Sequence, residues 1–316
     1  MQVRKIGDSD LLVSAVGLGC NNFAVRCDLE QSRAVVDQAI ASGITLFDTS
    51  DNYGNRGGSE DFLGRILGTR RRDIVIATKF GSPMDDAGLL KGASRRYLVT
   101  AVEASLKRLR TDWIDLYQLH RPDAETPIEE TLRALDDLVR QGKVRYIGAS
   151  NFTAAGVLEA DRLARAQGLH CFVSMQNEYS LLARDVEHEF IPALSSCGLG
   201  LLPYYPLASG LLTGKYRPDN VPEGTRLATP RPHERAFIAN ANWPAVARLQ
   251  QCALSRGRTL LDLAFGWLLA QPAVASVIAG ATRPEQVVQN VAAAEWRMSA
   301  EEQAEAGRLA SADPSP

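Results

Sequence analysis

Histidine is scarce in this chain, with four in 316 residues, and the five cysteines, at 20, 27, 171, 197 and 252, form no C-x-x-C pair. None of these cysteines has a histidine at metal-ligand spacing, so no metal site is expected. An odd number of thiols in a long chain reads as reduced cysteine in a cytoplasmic protein rather than as a disulfide framework. Net charge is also small, because 35 basic residues face 37 acidic ones and leave −2. That excludes a general basic footprint for nucleic acid or an anionic membrane. The opening MQVRKIGDSD lacks an apolar core, so no secretory signal is expected. The 25 residues from Phe190 to Gly214 carry no charge, but they include Pro192, Pro203, Pro206 and four glycines. A spanning helix tolerates that poorly, so buried strand plus loops is the expected form there. Nothing repeats at a period of 20 to 50 residues, and no feature fixes an oligomeric state.

What is present is ordinary globular composition, 45% apolar and 23% charged, in a chain long enough to bury a full core. Short β-rich runs begin near Ala15, Thr45, Ile74, Trp113, Val144, Cys171, Gly200 and Ala275. The first seven are spaced like βα units, which implies a parallel sheet. Eight such units make a closed (β/α)8 TIM barrel, and a doubly wound open sheet is the competitor. The expected organisation is a single barrel domain over residues 1–316. Residues 1–14 form an N-terminal β-hairpin turning at Gly7-Asp8-Ser9-Asp10, and a C-terminal extra helix is capped by Ser299 and Glu302. Residues 207–242 form a long loop after the seventh strand, and 312–316 a frayed tail. Asp28 with Gln31, and Thr126 with Glu129, read as capping boxes, the second with Pro127 at the first helical position.

In a parallel barrel the functional residues lie at the C-terminal strand ends. There the apolar runs stop at Asp48 to Gly54, Thr78-Lys79-Phe80, Gln118-Leu119-His120, Ser150-Asn151-Phe152, Met175 to Glu178 and Tyr204-Tyr205-Pro206. Asp48, Tyr53, Lys79 and His120 together are equipped for acid–base chemistry. A phenol of pKa near 10 is a poor acid or base at neutral pH. An ammonium about 4 Å away favours phenolate by about 4 kcal/mol at an effective dielectric of 20, which predicts a lowered phenol pKa. Asp48 would keep a buried Lys79 charged, and His120 would orient a carbonyl.

Seven segments in order, FDTSDNYG at 47–54, ATKF at 77–80, LYQLHRPD at 116–123, GASNF at 148–152, MQNEYS at 175–180, PYYPLASGLLTGKY at 203–216 and VIAGATRPEQVVQN at 277–290, make the chain resemble the aldo-keto reductase family. The likeness is nearest its microbial, potassium-channel-β-like branch. It implies a barrel that binds a nicotinamide cofactor without a Rossmann domain, which suits the absence of G-x-G-x-x-G, since Gly17-Leu18-Gly19 stops short of that motif. It also implies Tyr53 as general acid in carbonyl reduction, Lys79 and Asp48 as its support, and His120 as the group that places the carbonyl. Ser150, Asn151 and Gln176 match the carboxamide ligands, and Tyr204 matches the ring that stacks on nicotinamide. Leu207, Ala208, Gly210 and Lys215 match the pyrophosphate loop. Gly280, Thr282, Arg283, Gln286, Gln289 and Asn290 match the adenosine end.

The chain departs from the pattern at Gly280 and Ala281, where reductases best known for NADPH carry a Lys-Ser pair, and at Cys20 to Phe23, where many relatives have a tryptophan. Lys215 and Arg283 remain to meet a 2′-phosphate, so NADP(H) is favoured over NAD(H). Phe23, Tyr53, Phe80, Phe152, Tyr216, His233 and Phe237 are expected to wall a pocket for an aldehyde or ketone. The other readings are a cofactor-binding regulatory subunit with little turnover and a metal-dependent barrel hydrolase.

Overall fold

The structure is a computed structural model that describes residues 1–229, 235 and 238–311. The expected frayed tail at 312–316, and His233 and Phe237, lie outside the described residues. The chain opens with an antiparallel hairpin, β1 (Val3–Lys5) and β2 (Leu12–Ser14). Eight parallel strands follow: β3 (Val16–Gly19), β4 (Leu46–Asp48), β5 (Val75–Phe80), β6 (Ile114–Leu119), β7 (Val144–Ser150), β8 (Ser174–Gln176), β9 (Gly200–Leu201) and β10 (Val277–Gly280). From β3 to β9 each pairs with the next in sequence, and β10 returns to pair with β3. A parallel bridge between Leu201 and Val274 joins the two remaining edges, so the sheet closes. The strand order never reverses, which excludes the doubly wound alternative.

Helices cover the outside: α1 (Leu29–Ala41), α2 (Tyr53–Leu67), α3 (Arg95–Leu109), α4 (Ile128–Arg140), α5 (Ala154–Ala166), α6 (Phe190–Cys197), α7 (Trp243–Leu254), α8 (Leu260–Leu269), α9 (Pro284–Ala293) and α10 (Ala300–Ser311). Among the described residues no helix is long and apolar enough to cross a membrane. The Asp28–Gln31 capping box forms at the start of α1, and Ser299 and Glu302 exchange the same pair of bonds before α10. The expected box before α4 does not form. Pro127 is extended (φ −55°, ψ 133°) and flanks the helix instead of entering it, while the Thr126 hydroxyl donates to Asp123 at 2.8 Å. The sixth and seventh strands are shorter than their apolar runs. For β9 the reason is Pro203, which has no N–H to give to a ladder.

Two apolar layers hold the barrel. The larger lies between strands and helices and includes Phe23, Phe47, Phe80, Tyr117, Phe265 and Trp267. The smaller fills the barrel itself with Leu46, Ala77, Leu116, Leu202, Ala275 and Ile278, and the hairpin adds Ile6, Leu11 and Val13 to it. The hairpin therefore plugs one end. Gly7 (φ +55°) lies so close to the β9 approach that a Cβ would meet Gly198 O at 2.2 Å, and Asp8 N–H donates to the same oxygen at 2.9 Å. All five cysteines are free.

Candidate active site

Strand geometry itself converts the plugged interior into a polar cleft. Side chains two residues apart share a face, so inward Leu46, Ala77 and Leu116 are followed on their strands by Asp48, Lys79 and Gln118. Lys79 Nζ donates to both oxygens of Asp48, at 2.7 and 2.8 Å, and to the Thr49 carbonyl at 2.8 Å. The lysine is wholly buried. Burial pushes its pKa down, but Asp48 and Tyr53 outweigh that, and the ammonium titrates above its ordinary value.

Tyr53 opens α2, with its ring 5.1 Å from Lys79 Nζ. It is followed by four residues with positive φ, Gly54, Asn55, Arg56 and Gly57, which turn the chain before the regular helix begins. A Cβ on Gly54 would lie 2.4 Å from Ser59 N, so only glycine fits. Buried Glu60 ties this turn down, accepting from Thr78 Oγ1 at 2.5 Å and Arg108 Nε at 2.7 Å. The expectation of a lowered phenol pKa is corrected here. Lys79 does lower it, but burial raises it more, and the Tyr53 hydroxyl ends above its ordinary value. It is therefore a protonated phenol throughout the neutral range.

His120 meets Tyr53 edge to face, with ring centroids 5.9 Å apart. Burial first, then Lys79 and Arg121, hold its pKa down at about 3, so the imidazole is neutral. Its Nδ1 lies 3.1 Å from the hydroxyls of both Ser50 and Ser82. The ends of the next strands connect directly. Asn151 Nδ2 donates to His120 O at 2.9 Å and to Ser150 Oγ at 3.0 Å. Ser150 Oγ donates to Gln176 O at 2.6 Å, Gln176 Nε2 to Asp48 Oδ1 at 2.9 Å, and Tyr204 OH to Asn151 Oδ1 at 2.8 Å. The structure thus brings Asp48, Tyr53, Lys79, His120, Ser150, Asn151, Gln176 and Tyr204 to one mouth of the barrel.

The remaining predicted residues lie on two loops. After Leu207, the turn Ala208–Thr213 holds Ala208, Ser209 and Gly210 in succession at φ 45°, 55° and 107°. Ser209 Oγ is buried without a hydrogen-bond partner. Lys215 is exposed, with Nζ 5.1 Å over the Tyr216 ring. Gly280 ends β10 beside Gly19. Gln286 Oε1 accepts from Thr282 N at 2.7 Å, Arg283 and Gln289 are exposed, and Asn290 is buried. Asn22 donates weakly to Ala281 O at 3.4 Å, and its own Oδ1 is buried and unpartnered.

Of the expected pocket wall, Tyr53 stands at the mouth beside His120. Phe23, Phe80, Phe152 and Tyr216 are buried members of the larger apolar cluster, where Phe80 stacks on Tyr117 at 4.7 Å and Phe152 meets Phe172 at 6.1 Å. The period-2 rule gives the reason: Phe80 follows inward-facing Lys79 and must face out. Sequence reasoning also missed Ser82 and Asp51. Asp51 is buried behind the site, and burial together with Glu60 raises its carboxyl to about 7. Its position in DTSD, three residues after Asp48, was the available signal. Among the described residues no group of three or more His, Cys, Asp or Glu side chains is placed to hold a metal ion.

The family model "Aldo/keto reductase family" matches residues 15–310. A probable voltage-gated potassium channel subunit beta from Oryza sativa subsp. japonica is 37% identical over 93% of this chain and 91% of its own length. L-glyceraldehyde 3-phosphate reductase from Escherichia coli (strain K12) is 35% identical, covering 93% of this chain and 87% of that protein. Versiconal hemiacetal acetate reductase from Aspergillus parasiticus is 32% identical over 96% and 95%.

Proposed function

Since this chain belongs to the aldo/keto reductase family, we propose that it is an NADP(H)-dependent oxidoreductase that reduces aldehydes or ketones to alcohols, with Tyr53 as general acid. The observation that carries this reading is the buried ammonium of Lys79, clamped by Asp48 and lying against the ring of Tyr53, with neutral His120 meeting the same ring edge to face. Tyr53 delivers its proton to the carbonyl oxygen as negative charge grows there. Lys79 stabilises the phenolate left behind, and Asp48 keeps the lysine charged. Neutral His120 offers a hydrogen bond that orients the carbonyl.

The residues fit a nicotinamide dinucleotide. Ser209 Oγ and Asn22 Oδ1 are buried polar atoms that lack partners on the two loops flanking the mouth. A buried polar atom without a partner is costly, and a ligand rich in polar groups would satisfy it. Ser150, Asn151 and Gln176 would hold the carboxamide and Tyr204 the ring. Leu207, Ala208, Gly210 and Lys215 would hold the pyrophosphate, and Gly280, Thr282, Arg283, Gln286, Gln289 and Asn290 the adenosine end. The bound cofactor supplies the hydride. Exposed Lys215 and Arg283 favour the 2′-phosphorylated form.

The test is titration with NADPH and, separately, NADH, read by quenching of Trp113, Trp243, Trp267 and Trp296, followed by a panel of aliphatic, aromatic and sugar-derived carbonyls. Tight NADPH binding that weakens in Lys215→Ala or Arg283→Ala, with turnover on the panel, supports the reading. Binding of neither nucleotide would sink it. A second reading, a cofactor-binding regulatory subunit with little turnover, draws on the relatives named channel subunit beta. Stoichiometric cofactor binding without turnover on any carbonyl would favour it.

A further inference from the structure

The His120 imidazole is neutral, so one ring nitrogen bears hydrogen and the other accepts. Only the form with hydrogen on Nε2 can offer a donor beyond the ring edge that Ser50 and Ser82 occupy. The two serines are not equivalent. Ser50 Oγ has one proton, and Asn52 Oδ1 at 2.8 Å and Asp51 Oδ1 at 3.2 Å compete for it. Toward Nδ1 it therefore presents a lone pair. The Ser82 hydroxyl has no other hydrogen-bond partner among the described residues, so its proton is uncommitted. Ser82 is buried. It is aimed at the ring by Gly81 (φ +105°), where a Cβ would crowd Leu119 Cδ1 at 3.1 Å.

We infer that Ser82 is a positioning residue: its hydroxyl donates to His120 Nδ1 and so fixes the hydrogen on Nε2, toward the reacting carbonyl. This rests on the reductase reading for its catalytic consequence but not for its structural content. Without Ser82, the only hydroxyl left at Nδ1 among the described residues is that of Ser50, whose proton is engaged elsewhere. The hydrogen then moves to Nδ1, where it bonds the Ser50 lone pair, and Nε2 becomes an acceptor. An acceptor aimed at a carbonyl oxygen repels the charge that grows there.

Long-range proton–nitrogen NMR of the full chain, with His120 assigned by its loss in His120→Asn, reads the tautomer directly. Wild type is expected in the Nε2–H form, Ser82→Ala in the Nδ1–H form, and Ser82→Thr, which keeps the hydroxyl, in the Nε2–H form. Ser50→Ala is also expected to keep Nε2–H, because Ser82 still donates. With the best carbonyl of the panel, Ser82→Ala should lower kcat on the order of a hundredfold, the scale of losing one donor at a developing oxyanion. Nucleotide affinity should stay unchanged, and Ser82→Thr should restore most of the rate. Nε2–H retained in Ser82→Ala, or Nδ1–H in wild type, would overturn the inference. The expected tautomer switch in a chain that reduces no carbonyl would support the role of Ser82 at His120 and remove the reductase reading instead.

Discussion

Lys79 meets Asp48 through both carboxylate oxygens, and neither side chain has appreciable contact with solvent. A buried pair of this kind is expensive to break from one side, because the surviving charge has nowhere to go. Asp48→Ala should therefore destabilise the fold by about 3–5 kcal/mol. Adding Lys79→Met, which removes the orphaned charge at similar volume, should return more than half of that loss. Urea denaturation of the two variants checks both statements. A double variant no more stable than Asp48→Ala would mean that the loss comes from packing.

Tyr53→Phe should lower the reductive kcat by a factor of about 10² to 10⁴, the usual range for a positioned general acid, with nucleotide binding intact. Burial raises the phenol's pKa more than Lys79 lowers it. The acid form therefore persists through neutral and mildly alkaline pH, and reduction should fall off only at strongly alkaline pH. Alcohol oxidation needs the phenolate and should rise over the same range. Initial rates in both directions across pH decide this.

His120, with its pKa held down at about 3, stays neutral across the working range. The reductive rate should carry no histidine inflection near 6.5. The nearby group that does titrate there is Asp51, raised to about 7 and hydrogen-bonded by Ser50, which also faces His120. Any inflection near pH 7 in wild type should vanish in Asp51→Asn, whose profile should be flat from pH 5 to 8.

The same carboxyl makes stability depend on pH. Its folded pKa lies above the unfolded value of 3.8, so the folded chain holds the proton more tightly. That advantage is complete below pH 4 and is lost as pH rises through about 7. Asp51→Asn should remove this dependence, gaining on the order of 2 kcal/mol relative to wild type between pH 5 and pH 8. Denaturant midpoints at the two pH values measure it.

The barrel and the mouth of the site were legible because each parallel strand writes its end as a change of chemistry: Leu-Phe-Asp, Ala-Thr-Lys, Gln-Leu-His. Inward and outward faces were harder. Phe80 was grouped with the pocket wall because it neighbours Lys79, and a strict two-residue alternation sends it outward beside Tyr117. The failed cap at Thr126 shows a different limit. Its hydroxyl was claimed by Asp123, which also takes Ala93 N–H at 2.8 Å, a contact 30 residues away that no local pattern announces. Ser82 was invisible for the same reason, since its partner stands on the next strand. Tyr53 was legible as a strand-end residue, but the sign of its pKa shift depends on how much water the fold removes.

The hairpin that plugs the barrel also has a consequence in time. Arg4, in its first strand, is held by the carbonyls of Leu269 and Val274, at 2.8 and 3.0 Å, some 270 residues downstream. During synthesis the hairpin leaves the ribosome with none of these partners yet made. Long loops must close before such contacts form. The hairpin is therefore made well before the segment that holds it, and these contacts can form only after Leu269 and Val274 have been made.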